Sequence, residues 1–116
     1  MKLGMNMLLW ASHVTEAHYP IFEKIKKAGF DGVELPLFEG DGAHYTRVGK
    51  ELANQGLGCT TVTCLSTDAN PVADDAAVRK AGLERIKWAL DMTAALKGDC
   101  LAGPYHSALE IGRAHV

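Results

Sequence analysis

The chain carries no run of basic residues, and its formal net charge is −2 over 116 residues. A nucleic-acid partner calls for a basic patch that neutralises phosphates, so no such partner is expected. No apolar stretch approaches the roughly 20 residues that a membrane-spanning helix needs, and no membrane association is expected. The N-terminus offers Lys2, then Leu3, Met5, Met7, Leu8 and Leu9. It lacks a long continuous apolar region and a small-residue cleavage site, so no signal peptide is read. Cysteine is scarce: Cys59, Cys64 and Cys100 are odd in number and lack metal-type spacing. Reduced, partly buried thiols fit a reducing compartment, so the cytoplasm is the expected location. No spacing brings four His or Cys ligands together for zinc. The turn after the first apolar run, Leu9-Trp10-Ala11-Ser12-His13, contains no glycine. That argues against a dinucleotide-binding sheet, and no P-loop is present either.

What is there is an ordinary globular composition, 47% hydrophobic and 22% charged. The length suits one modest domain or part of a larger one. The chain is organised around Ala28-Gly29-Phe30-Asp31-Gly32-Val33-Glu34-Leu35-Pro36. Gly29 stands where a helix C-cap wants positive φ, and Asp31-Gly32 supplies turn chemistry. Val33 and Leu35 then alternate with Glu34, so the carboxylate faces away from them. A carboxylate inside a buried strand is costly unless it is paired, hydrogen-bonded or bound to something. Glu34 therefore either meets a ligand or sits at the strand mouth, capping a loop or pairing with a basic residue.

Around this stretch the chain alternates. Lys2 to Leu9 reads as a first strand. A helix follows, started by Thr15 with His18 as its N3 residue or by Pro20 in the first turn, and it runs to Ala28 with Ile21, Phe22, Ile25 and Ala28 as its apolar stripe. Gly32 to Leu35 is the second strand. Ala43 to Asn54 is a helix that buries Tyr45, Val48 and Leu52. Cys59 to Leu65, rich in threonine and valine, is the third strand. Asp74 or Asp75 caps a long helix to Leu96, with Val78, Leu83, Ile86, Leu90 and Ala94 near helical spacing. Cys100 to Gly103 is a short fourth strand. Strand, helix, strand, helix, strand, helix, strand implies an α/β fold with a parallel sheet and right-handed crossovers. An open doubly wound sheet and a closed eight-stranded barrel share that order. The barrel needs roughly 250 residues, so this chain supplies its first half.

Leu3-Gly4-Met5-Asn6 with Trp10, Gly29-Phe30-Asp31-Gly32-Val33-Glu34, Gly56-Leu57, the Asp75 to Arg79 opening of the third helix, and Ala102-Gly103-Pro104-Tyr105-His106 together resemble the sugar phosphate isomerase/epimerase family. That is the xylose-isomerase-like TIM barrel, and the likeness is greatest to ketose 3-epimerases of the tagatose/psicose epimerase type. The resemblance implies parallel (βα) units forming the first half of a (β/α)8 barrel, truncated after strand four. It implies a parent enzyme that moves a proton at a carbon next to a ketone, with a divalent cation (Mn, Co or Mg) as cofactor. It implies a small-molecule ketose or sugar phosphate as substrate and a homo-oligomeric parent. In the family two glutamates, an aspartate and a histidine on later strands hold the cation, and those glutamates are the acid/base pair. None of these lies in this chain, so no catalytic or metal residue is assigned and no cofactor is expected in the fragment. Inosose dehydratase, hydroxypyruvate isomerase and endonuclease-IV-like enzymes are rival parents on the same fold, and an inactive fragment is the rival reading for the chain itself. After Leu109 or Glu110 the resemblance stops. Ile111-Gly112-Arg113-Ala114-His115-Val116 is what a common sequencing adapter encodes in one frame. Residues 1–110 are thus expected to be half-barrel and 111–116 a non-native tail, a natural short tail being the alternative.

In such a barrel function gathers at the carboxyl ends of the strands. The candidate substrate-binding residues there are Trp10, Glu34, Cys64, Tyr105 and His106. An aromatic face suits the C–H side of a sugar, while carboxylate and imidazole suit its hydroxyls. Trp10 has plugging the barrel mouth as its other reading, Cys64 has core packing, and His106 has capping of a loop carbonyl. His13, His18 and His44 read as exposed loop or helix residues.

Overall fold

The structure is a computed structural model and describes residues 1–109. The expected tail at 111–116 lies outside the described residues. Four strands form one parallel sheet: β1 (Gly4–Asn6), β2 (Gly32–Pro36), β3 (Gly58–Val62) and β4 (Leu101–Ala102). Three helices link them: α1 (Tyr19–Lys27), α2 (Gly42–Asn54) and α3 (Ala76–Leu96). The spatial order is β1-β2-β3-β4, the order of the chain. A doubly wound sheet reverses its strand order at a switch point, whereas a barrel wall adds each strand beside the last. The sequential order therefore decides between the two architectures that the alternation allowed.

The local reasons are legible. Pro20 lies in the first turn of α1, and Lys24, Lys26 and Lys27 fill its last turn, where cations suit the helix dipole. Gly29 follows with φ 98°, the left-handed conformation that ends the helix. Asp41 caps α2 by accepting from the His44 N–H at 2.8 Å, and Asp75, not Asp74, caps α3 through the Ala77 N–H. Thr15 and His18 close a capping box over a 3-10 turn, Glu16–His18, that leads directly into α1. Both expected start signals are thus used, one for each turn.

The core lies between the sheet and the helices. Val33 and Leu35 of β2, Phe22 and Ile25 of α1, and Tyr45, Val48 and Leu52 of α2 are buried in it. Each such side chain contributes about 1.5–3 kcal/mol by leaving water. Among the described residues the other face carries the register partners Asn6, Glu34 and Thr60, which are polar.

Several expectations are corrected. The first strand stops at Asn6 because the Asn6 side chain accepts from the Leu8 N–H and folds Met7–Leu9 into a 3-10 turn. The third strand ends at Val62; beyond Thr63 the chain leaves β4 for the loop that precedes α3. The buried face of α3 is not the leucine stripe. Leu83 and Leu90 are 53% and 52% exposed, while Gly82, Ala89, Met92, Thr93 and Leu96 are buried. Closeness of packing is the reason. A Cβ on Gly49 of α2 would lie 2.8 Å from the Leu96 carbonyl oxygen, and one on Gly82 would lie 2.7 Å from the Pro71 nitrogen. At those two points there is no room for a side chain; Met92 and Leu96 fill the rest of the buried face, and Leu83 and Leu90 turn outward.

Candidate functional site

Alternation along the strands sets which side chains face the open side of the sheet. Asn6, Glu34 and Thr60 are register partners on β1, β2 and β3 and form one layer there. The Asn6 amide donates to Glu34 Oε1 at 2.8 Å. Glu34 is half-buried, and no basic side chain pairs with it among the described residues. An open groove of about 640 Å³ runs along this face, lined by Lys2, Asn6, Asp31, Glu34, Thr60 and Asp99 among others. The loop after β1 and the start of α2 meet in a separate, smaller pocket lined by His13, Thr15, Glu16, Tyr19, His44 and Arg47. There His13 stacks on His44 with ring centroids 4.7 Å apart, and the His44 ring nitrogen Nε2 donates to the Val14 carbonyl at 2.9 Å. Tyr45 packs edge-on against His44, and its hydroxyl donates to the Glu39 carbonyl. Burial, with the Glu39 carboxylate nearby, pushes the Tyr45 phenol up to about 12.

A second groove, about 560 Å³, opens at the carboxyl end of β3 between its loop and α3. Phe38, Cys64, Ser66, Asp68 and Arg85 line it. Arg85 donates to the Phe38 carbonyl and lies 4.1 Å over the Trp88 ring, so α3 is tied to the loop after β2. That contact uses both the charge and the flat face of the guanidinium.

The five candidate residues do not share one cavity among the described residues. Glu34 lies in the groove along the sheet and Cys64 in the one after β3, where it is half-buried. Trp10 is 45% exposed on the turn after β1. Tyr105 is half-buried with its hydroxyl donating to the Leu101 carbonyl at 3.2 Å, and His106 is exposed. These three line neither groove. The exposed reading of His13 and His44 is corrected, since mutual stacking and the tie to Val14 leave both half-buried; His18 is half-buried too, because its ring accepts from the Thr15 N–H. Asn6, Thr60 and Arg85 were not singled out by sequence. Asn6 had a signal, being a polar residue of strand parity inside an apolar run.

Among the described residues no group of three or more His, Cys, Asp or Glu is placed to hold a metal ion. The residues present therefore do not fit the divalent cation that the resemblance implies, and no step is derived through one. Burial pushes the Cys59 thiol up to about 12, helped by the Asp99 and Glu34 carboxylates, as suits a core group.

Four parallel strands in chain order, helices on one side and a polar inner layer on the other define the first half of a (β/α)8 barrel. The comparisons narrow the class. The description "Xylose isomerase-like TIM barrel" matches residues 22–114, and the chain belongs to that family. The chain is similar to the ketose 3-epimerase of Arthrobacter globiformis, with 32% identity over 95% of this chain and 38% of that one. Among solved structures it resembles a D-psicose 3-epimerase at TM-score 0.81 and 28% identity, over 96% of this chain and 39% of that one. A D-allulose 3-epimerase from Methylomonas sp. superposes at TM-score 0.82 and 25% identity, over 94% and 38%. The chain thus spans about two fifths of the length of these relatives.

Proposed function

We propose that this chain is the amino-terminal half of a metal-dependent ketose 3-epimerase and forms one wall of its sugar pocket. The carrying observation is the 32% identity to a ketose 3-epimerase across nearly the whole chain, against only 38% of that enzyme. The reaction exchanges a proton at the carbon beside a ketone. It needs two bases on opposite faces of the sugar, and a cation to polarise the oxygens. Glu34 is one carboxylate on one wall, so it serves as a hydroxyl acceptor and not as the acid/base pair. The cation ligands and the bases belong to the strands that would complete the cylinder. The chain alone is then inactive.

The test is complementation. The 116-residue chain is co-expressed with a polypeptide covering the remaining strands of the Arthrobacter globiformis enzyme. The complex is expected to interconvert D-fructose and D-psicose when manganese or cobalt is added, and the chain alone is not. Turnover by the chain alone, or a metal-loaded complex that epimerises no ketose, refutes the proposal.

A further inference from the structure

We propose that Asn6 is the positioning residue of Glu34: it fixes where the carboxylate points and joins it to the turn that carries Trp10. The inference rests on the reading that Glu34 faces a sugar, and it assigns a residue to that same wall. The orientation of the Asn6 amide is forced by its partners. The Leu8 N–H, 2.8 Å away, requires an acceptor, so Oδ1 faces it. Glu34 Oε1, 2.8 Å away on the other side, requires a donor, so Nδ2 faces it. A flipped amide would set nitrogen against the Leu8 N–H, donor against donor, and oxygen against the Glu34 carboxylate, acceptor against acceptor, losing both bonds. Both ends of the side chain are therefore committed, and its rotamer is held from β1 and from β2 at once.

The consequence for Glu34 follows from the register. Asn6 and Glu34 are Cα partners across β1 and β2, so the bond is short, direct and independent of any loop. No basic side chain competes for the carboxylate among the described residues. One oxygen is occupied by a neutral donor, which holds the group without cancelling its charge. The other oxygen is left to accept from a hydroxyl of a bound polyol. Pre-set groups of this kind bind with less loss of side-chain freedom. The same Asn6 oxygen caps the Met7–Leu9 turn, which ends at Trp10. An occupant that pulls on Glu34 therefore pulls on that turn as well.

Asn6→Asp separates the two duties. Aspartate still caps the Leu8 N–H but puts a carboxylate against Glu34, whereas Asn6→Ala removes cap and aim together. The isotopically labelled 116-residue chain is studied by NMR without ligand and then titrated with D-psicose. Without ligand, Asn6→Asp is expected to keep the Leu8 amide protected while side-chain relaxation shows Glu34 freed, and Asn6→Ala is expected to lose both. Unchanged Glu34 order in Asn6→Asp overturns the proposal. With D-psicose, the wild type is expected to show shifts at Glu34, Asn6 and the Trp10 indole. Asn6→Asp should bind about fivefold more weakly, the ratio carried by one hydrogen bond of about 1 kcal/mol. Equal affinity also overturns the proposal. If D-psicose moves no wild-type signal, the sugar-wall reading fails, and the ligand-free relaxation alone decides whether Asn6 positions Glu34.

Discussion

Gly49→Ala sets two effects of similar size against each other, and the structure decides the sign. Gly49 lies inside α2, where alanine is favoured over glycine by about 1 kcal/mol. Propensity alone predicts a more stable protein. The added Cβ, however, would sit 2.8 Å from the Leu96 carbonyl oxygen and 3.1 Å from its carbonyl carbon and Cα. These are backbone atoms at the end of α3 and have no rotamer through which to withdraw. The two helices must separate, which loosens Val48, Leu52 and Leu96 in the core. Overpacking of this kind costs about 1–3 kcal/mol, to which the lost contacts add. The net expectation is a destabilisation of about 1–2 kcal/mol. Gly42→Ala is the control on the same helix, because the nearest atom to its added Cβ is the Met92 methyl at 4.0 Å. It should be neutral or stabilising by up to about 1 kcal/mol. Urea unfolding of both variants, followed by helical circular dichroism, gives the two values. A Gly49→Ala chain as stable as the wild type, or a shift equal to that of Gly42→Ala, would refute the close crossing of α2 and α3.

Two further outcomes follow from the buried polar groups. Thr61 and Thr93 hydroxyls lie 2.7 Å apart in the core, Thr93 donates to the Ala89 carbonyl at 2.8 Å, and Thr61 has the Cys100 carbonyl at 3.2 Å as a second acceptor. Each single change to Val should cost about 1 kcal/mol, while the double variant should cost less than the sum, with a coupling of about 0.5–1.5 kcal/mol in urea unfolding; strict additivity would remove the pair. In the folded chain Cys59 and Tyr45 are both pushed up to about 12, from 9.0 and 10.0, chiefly by burial. The unfolded chain then releases these protons first, so the stability they contribute is whole below pH 9 and is lost as pH rises to 12. Tyr45→Phe should flatten the part of that decline between pH 10 and 12, and an unchanged slope in that variant would count against the buried phenol.

Sequence by itself determined the element order, most caps and the family. Periodicity and punctuation act locally: Gly29 ends α1, Pro20 opens it, and Asp31-Gly32 turns into a strand whose alternation sends Val33 and Leu35 one way and Glu34 the other. Those choices depend on φ/ψ and on near neighbours, which the one-dimensional pattern records. Tertiary structure decided what depends on distance. The sequential strand order is a property of the whole sheet, and it turned an ambiguous alternation into a barrel wall. The α3 face went to Gly82, Ala89, Met92, Thr93 and Leu96 and not to Leu83 and Leu90, with backbones approaching closely at Gly49 and Gly82, a fact visible only with both partners in place. The partner of Glu34 proved to be an amide 28 positions away on the neighbouring strand. Register created that contact, and no local pattern around either residue encodes it.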